Sequence, residues 1–519
     1  MGHLCKNTSE VIDLDYSRRI KIEIDALWNV FWSGGISNPL SAIEQITYLL
    51  YIRLLADKDD EEKAKSVADG YEHESLFSAN EQCHWDYFAD KDGEFILVHI
   101  QNVVFPWIKG DLTKKGELFA ITMKDAAIII PNGNVMKDAI DAIGRIFAIN
   151  KLETEQLQLF NDPMGDTYEM LLAELSTSGK NGQFRTPKHI IAMMVEMLNP
   201  KIGDKICDPA GGTAGFLLAA IHHLVAQHTS EGFCGVDRFG ITRGLKGDLF
   251  DKESRKILHE GTLYGFDFDT TMVRIAVINL VLHGITKPQY KCIDSLSDDL
   301  PNETKFDIIL ANPPFKGSIN NKRIWSESKL HTTKSELLFV ERIIQMLEPS
   351  SGKAAIIVPD GVLFNTSKAH KNLREKLLME CNIQAIIALP SGVFFPYSGV
   401  STNIIILEKE GKTENIWFYD MHNDGFSLND RRTEIEETDI PEILSTWKSD
   451  KFVEIPNKSF MVNICEISSD EYILAINRYK TNLLELIDYP NPRQIIQELR
   501  GKHDLLIEQI TELDRLLEE

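Results

Sequence analysis

Hydrophobic positions divide the chain into two textures. Up to about residue 150 they recur at helical spacing: Ile20, Ile24, Leu27 and Phe31 form one stripe, and Ile43, Ile46, Leu50 and Leu54 form another after the turn signals Gly34-Gly35 and Asn38-Pro39. From about Lys205 short apolar runs take over, namely KICDPA, TLYGFD, FDIILANPP, KAAIIVPDG, IQAIIALP and NIIILEK. Helical patterns separate them at residues 216–225, 272–282, 336–347 and 367–380. Strands alternating with helices predict an α/β fold with a doubly wound, mostly parallel sheet. After about residue 410 the sheet pattern is expected to stop, leaving an acidic, mixed stretch and a terminal helix. The expected domains are a helical N-terminal domain over 1–160, an α/β domain over 161–410 and a C-terminal region over 411–519 whose last helix covers about 491–519.

Composition narrows the class. With 519 residues, 43% hydrophobic and 26% charged, the chain is a multidomain globular protein with ample apolar material for a core. No apolar run approaches the roughly 18 residues of a membrane span, and the opening MGHLCKNTSE lacks a basic-then-apolar signal layout, so a cytoplasmic protein with no membrane partner is expected. Seven scattered cysteines without a Cys-x-x-Cys suggest neither a disulfide framework nor a zinc site. The balance of 55 Lys and Arg against 78 Asp and Glu, a net −23, argues against unaided non-specific binding to nucleic acid.

Two short segments carry chemistry. The first, DPAGGTAGF at 208–216, follows a strand and opens a helix, so its glycines let a ligand approach the backbone at the carboxyl edge of the sheet. Its spacing is not G-x-G-x-x-G, and the next strand-end acid, Asp267, lies far beyond the roughly 20 residues of a dinucleotide fingerprint. A carboxylate at Asp208 suits a cationic ammonium rather than a pyrophosphate, and Asp267 suits ribose hydroxyls. S-adenosylmethionine has both groups. The second segment is Asn312-Pro313-Pro314-Phe315, after the strand FDIILA. Two prolines stiffen the turn, which would hold the Asn312 amide oxygen and the Pro313 carbonyl as two acceptors for an exocyclic NH2, with Phe315 as a stacking face. Alone, the tetrapeptide reads equally as a stiff turn followed by a core Phe.

Together the motifs resemble the modification (methyltransferase) subunit of type I restriction–modification systems, the adenine-N6 DNA methyltransferases. The likeness runs over nearly the whole chain and is densest from about 160 to 410. Gln183-Phe184-Arg185-Thr186-Pro187-Lys188 resembles the family segment that lines the methionine end of the cofactor site. Residues 208–216, with Asp208, Gly211, Thr213, Ala214 and Gly215, resemble its D-P-A-x-G-T-x-G-F. GFDFD with the following RIAVINLVLHG resembles the ribose-binding acid and helix, while Asp294 and Ser295 resemble the residues near the cofactor adenine. The resemblance implies a sheet of the S-adenosylmethionine-dependent methyltransferase type and methyl transfer to N6 of an adenine flipped from duplex DNA. It also implies a specificity subunit carrying target-recognition domains and a restriction (nuclease/translocase) subunit as partners. Arg185 stands where an aromatic is usual, Gly211 where Cys or Ala is common, and 231–260 reads as an insertion. A protein glutamine N-methyltransferase and a catalytically idle scaffold of a nuclease complex are the alternatives.

Residues 316–334 carry Lys316, Lys322, Arg323, Lys329 and Lys334 against Glu327 alone, and read either as a DNA-facing loop or as an ordinary solvated one. The histidines lack ligand spacing and read as structural or surface residues, with no metal expected. Ile496, Leu499, His503, Leu506, Ile510, Leu513 and Leu517 follow a coiled-coil seam, which would dock a partner subunit or pack within the chain.

Overall fold

The computed structural model describes residues 4–157, 163–177, 186–244, 246–396, 398–449, 452–469 and 471–480, with scattered positions from 496 to 515. Two compact units are present, Met1–Tyr479 and Lys480–Glu519. In the second, the described seam positions Ile496, His503, Leu506 and Ile510 are helical and exposed; Leu499, Leu513 and Leu517 lie outside the described residues.

The first unit begins with long helices, α1 (Leu4–Ser33), α2 (Pro39–Asp69), α3 (Gly133–Leu157) and α4 (Pro163–Thr177). Local chemistry sets their limits. Asn38 Oδ1 accepts from the N–H groups of Leu40 and Ser41 at 2.9 and 3.4 Å, Pro39 sits in the first turn, and α2 stops at Gly70, whose φ of +73° suits a residue without Cβ. The predicted stripes face inward: Ile20, Leu27, Phe31, Ile43, Ile46 and Leu50 are all fully buried.

The sheet follows with α5 (Lys188–Leu198), β1 (Ile206–Asp208), α6 (Gly215–Gln227), β2 (Leu263–Asp267), α7 (Thr270–Leu282), β3 (Gln289–Cys292), β4 (Ile308–Ala311) and α8 (Ser335–Met346). It continues through β5 (Lys353–Pro359), α9 (Lys368–Glu380), β6 (Asn382–Ala388), β7 (Thr402–Glu408), β8 (Asn415–Asp420), α10 (Ile440–Ser449) and β9 (Ser459–Asn463). Among the described residues nine strands pair in the order β9-β8-β6-β7-β5-β4-β1-β2-β3. Pairing is parallel except where β7 inserts between β5 and β6 and where β9 closes the edge on β8. Alternate side chains feed two cores, as the pleat requires: Ile308 and Leu310 join the layer with α5, α6, α7 and the N-terminal helices, whereas Ile309 and Ala311 join the layer with α8 and α9.

The sheet does not stop at about residue 410. β8 adds IWFY as four buried residues parallel to β6, and β9 adds an antiparallel edge. The run is apolar and aromatic, but it is short, and acidic flanks mask it. The 231–260 insertion forms a hairpin, Cys234–Val236 with Thr242–Gly244, and a helix, Lys252–Glu260. Among the described residues no helix is long and apolar enough to cross a membrane.

Candidate functional site

Because β1, β2, β4 and β5 are parallel, Asp208, Asp267, Asn312 and Asp360 all emerge at one edge of the sheet, where such folds bind ligands. The glycine-rich turn is laced to the strand ends. Asp208 Oδ1 accepts from the Ala210 N–H at 3.0 Å, the Gly211 N–H donates to the Phe266 carbonyl at 3.0 Å, and the Gly212 N–H donates to Asp267 Oδ2 at 3.1 Å. Gly212 has φ +51°; Ala214, at the start of α6, is held at φ +68°, which costs a residue with a Cβ.

Gly211 has its own reason. A Cβ there would lie 2.3 Å from the Tyr290 hydroxyl, and one on Gly265 would lie 2.3 Å from the Tyr290 ring. Tyr290, on β3, thus occupies the space that a larger residue at 211 would need, and its hydroxyl donates to the Gly212 carbonyl at 3.0 Å. In this chain Tyr290 leaves no room for a side chain at 211.

Burial, reinforced by the neighbouring Asp267 and opposed by the Ala210 N–H, pushes the Asp208 carboxyl up to about 7. Burial also raises Asp267, against the N–H groups of Asp269 and Gly212 that lower it. A cation beside Asp208 would discharge this cost. Ser295 Oγ donates to the Pro209 carbonyl at 2.7 Å, and its own carbonyl accepts from Arg342 Nε at 3.1 Å, so Ser295 props the turn. Asp294 Oδ1 accepts from the Leu296 N–H at 3.0 Å.

At the Asn-Pro-Pro turn, Asn312 Nδ2 donates to Thr186 Oγ1 at 2.8 Å, while Asn312 Oδ1 is buried and has no partner among the described residues. Pro313 is buried and Pro314 exposed. Phe315 is only 4% exposed and meets Phe394 edge-to-face at 5.4 Å between ring centres, so it is a core residue in this conformation. Of the preceding segment, Thr186, Pro187 and Lys188 are described; Gln183, Phe184 and Arg185 lie outside the described residues.

Several residues that pattern reading missed complete the edge. Asn279, fully buried on α7, donates to the Thr213 carbonyl at 2.9 Å and to Glu169 Oε1 at 2.8 Å; Glu169 Oε2 in turn lies 3.2 Å from Lys188 Nζ. This chain ties the glycine-rich turn to α4 and to the start of α5. The signal was an Asn inside the apolar run RIAVINLVLHG. Asp360 accepts from Asn403 Nδ2 at 2.6 Å, and burial raises its carboxyl; only the antiparallel insertion of β7 brings Asn403 there. Arg274, also buried on α7, donates to Glu44 Oε1 at 2.5 Å, to the Thr122 carbonyl at 2.8 Å and to Asp125, locking the N-terminal helices onto the sheet.

The opposite edge differs. A polar groove of about 870 Å³ opens at the amino ends of β4 and β5, lined by Glu196, His223, Asp307, Lys353 and Lys448 among others. Glu196 there pairs with His223 and Lys448 at 2.8 Å each, and Trp447 Nε1 donates to the Met197 carbonyl at 2.8 Å. His189 Nε2 lies 2.9 Å from buried Asp424 and stacks on Phe426, while burial pushes His222 down to about 3. These are packing roles, and the described residues hold no cluster that could bind a metal.

Comparison with known proteins gives concordant matches. Residues 160–485 match a family model described as N-6 DNA Methylase, and residues 20–143 one described as the HsdM N-terminal domain. The type I restriction enzyme EcoEI methylase subunit of Escherichia coli is 26% identical over 495 residues, covering 90% of this chain and 93% of its own. The StySPI methylase subunit of Salmonella potsdam is 26% identical over 421 residues, covering 77% and 70%. A solved structure from work on complex assembly and conformational transition of the type I R-M system has a TM-score of 0.68 at 23% identity, covering 97% of this chain and 98% of that one. The type I restriction-modification system methyltransferase subunit from Streptococcus thermophilus has 0.61 at 20%, covering 89% and 100%.

Proposed function

The chain belongs to the N-6 DNA methylase family, and from that premise we propose how its site divides the work. It is an S-adenosylmethionine-dependent, site-specific adenine-N6 DNA methyltransferase, the modification subunit of a type I restriction–modification system. S-adenosylmethionine supplies a methyl group activated by a sulfonium. The residues fit it: Asp208 is a buried carboxylate suited to the α-ammonium, and Asp267 keeps lone pairs for the ribose hydroxyls beyond its two backbone donors. Thr213, Ala214 and Gly215 would line the cofactor, Asp294 and Ser295 would lie near its adenine, and Thr186, Pro187 and Lys188 near its methionine end.

One observation carries the catalytic assignment. A buried acceptor without a partner costs about 1 to 3 kcal/mol, and such atoms in native proteins call for an explanation. Asn312 Oδ1 is such an atom, at the sheet edge where substrate is expected, and Thr186 already occupies the other end of the amide. Asn312 Oδ1 and the Pro313 carbonyl accept the two hydrogens of the adenine N6 amine, turning its lone pair toward the methyl group. S-adenosylmethionine, when bound, would supply the methyl group to this lone pair, and the proton that N6 gives up would pass to solvent. Phe315 provides the stacking wall, held by Phe394; at 4% exposure its face must be uncovered as the flipped base enters. Asn312→Ala should abolish methylation of target DNA by the assembled complex and leave cofactor affinity nearly unchanged. Near wild-type methylation would remove Asn312 from catalysis.

Recognition of the target sequence is assigned to a specificity subunit with target-recognition domains, and cleavage to a restriction subunit. The net −23 charge and the exposed Ile496, Leu506 and Ile510 of the terminal helix support a docking role for residues 491–519. Truncation after Asn491 should cost assembly and methylation while sparing cofactor binding. The proposed catalytic domain continues past 410 with the sheet, through Asn463.

A further inference from the structure

Resting on that reading, we infer that residues 316–334 form a fixed cationic shelf that grips the DNA backbone beside the flipped adenine. The segment leaves the Asn-Pro-Pro-Phe turn directly, so its position relative to the reacting base is set by the chain itself. Lys316, Lys322, Arg323, Lys329 and Lys334 are all exposed, and none forms an ion pair among the described residues. On a chain of net −23, uncommitted cations next to the catalytic turn are the local exception.

The segment is also braced, which a merely solvated loop does not need. Its two ends are tied together: the Ile319 N–H donates to the Thr333 carbonyl at 2.8 Å, and the Ser335 N–H donates to the Gly317 carbonyl at 3.1 Å. Its middle is pinned by Trp325, 2% exposed, which packs with Leu296, Leu338 and Phe339 and lies under the Arg342 guanidinium at 5.2 Å. The backbone N–H of Trp325 donates to the Leu296 carbonyl at 2.9 Å, and Ser326 Oγ donates to Asp298 at 3.0 Å. Ala210 of the glycine-rich turn packs against the same cluster, so shelf and cofactor turn share one support. Burying a tryptophan to hold a loop of free cations fits a partner with regularly placed negative charges, and duplex phosphates match that chemistry. Glu327 offsets only one of these five cations, and Gln345 Nε2, donating to it at 2.6 Å, holds its carboxylate toward α8.

Phosphate contacts raise affinity without reading sequence, and each contributes about 0.9 to the slope of log affinity against log salt. The experiment uses the assembled complex, saturated with cofactor, and compares the parent with Lys322→Gln/Arg323→Gln on target and non-target duplexes over a salt series. The expected result is a loss of roughly tenfold or more on both duplexes and a salt slope lower by about 1.8, with cofactor affinity unchanged. Lys322→Arg/Arg323→Lys should keep the parent slope. An unchanged slope in the Gln variant overturns the shelf. So does loss of complex assembly, which would reassign the patch to a protein interface. A parent complex that binds DNA but methylates no adenine would instead sink the catalytic reading while leaving the shelf standing.

Discussion

The two edges of the sheet place buried carboxylates in opposite electrostatic states. At the amino edge Glu196 is surrounded by its own partners: burial opposes its charge, but His223 and Lys448 hold it down to about 2. At the carboxyl edge Asp208 has one backbone N–H and a neighbouring carboxylate, and burial pushes it up to about 7. A structural carboxylate is satisfied from within, whereas a binding carboxylate is left for something the chain does not contain. The orphaned Asn312 Oδ1 and the left-handed Ala214 stand on the same side of that contrast.

The largest effect short of removing Asn312 concerns what aims it. If Thr186 fixes the amide by accepting from Nδ2, Thr186→Val keeps the shape but loses the acceptor, letting the amide rotate and offer N–H to the target amine. Turnover should fall tenfold or more, about 1.4 kcal/mol in the barrier, while Thr186→Ser restores most of it. If Val lowered cofactor affinity and left kcat alone, Thr186 would belong to the cofactor site only.

Protonation separates the edges next. Asp208 has its folded value raised above an unfolded value near 3.8, so its contribution to stability is present below that value and is lost as pH rises through about 7. Glu196 runs the other way: its contribution is present above about 4.5 and is lost as pH falls toward about 2. Cofactor binding through its ammonium needs Asp208 ionised, so affinity should rise by up to about tenfold per pH unit below 7 and level off above it. In calorimetry, Asp208→Asn should abolish this slope. A slope that persists in the mutant would assign it to another group.

These contrasts were unevenly legible in the sequence. Asp208, Asp267 and Asn312 stood out because each follows an apolar run, and parallel strands deliver their ends to one edge whatever the loops between them do. The structural supports did not stand out. Asn403 reaches Asp360 only because β7 inserts antiparallel, and Asn279 joins Thr213 to Glu169 across three elements. β8 was missed because its short run, NIWFYD, stands between acidic flanks and its pairing with β6 skips over β7. Phe315 was visible as an aromatic, yet its burial against Phe394 depends on a loop far down the chain. Gly211 looked like a departure until Tyr290 supplied its reason.

The close approach of Tyr290 to Gly211 gives a smaller and sharper test. Gly211→Ala places a Cβ 2.3 Å from the Tyr290 hydroxyl and should cost about 1 to 3 kcal/mol by overpacking, read as a lower Tm and weaker cofactor binding. Adding Tyr290→Phe removes the offending oxygen and should recover part of the loss, although the bond to the Gly212 carbonyl goes with it. A double mutant no more stable than Gly211→Ala would mean that the turn, rather than the tyrosine, excludes a side chain at 211.

The smallest effect tests whether the edges are independent at all. Helix α5 begins at Lys188, two residues after Thr186, and carries Glu196 near its other end, so it is a physical link from the Asn312 amide to the amino-edge groove. Lys448 is half exposed, and its bond to Glu196 should be worth no more than about 1 kcal/mol. Lys448→Met should therefore lower Tm slightly and reduce the protection of Glu196 at acid pH. Cofactor affinity, DNA affinity and kcat in the assembled complex should not change, because buried His223 still pairs with Glu196 and keeps α5 seated. If methylation fell in proportion to the lost pairing, α5 would be a lever between the two edges, and the groove would have to be read as part of the site's control rather than as its structural counterpart.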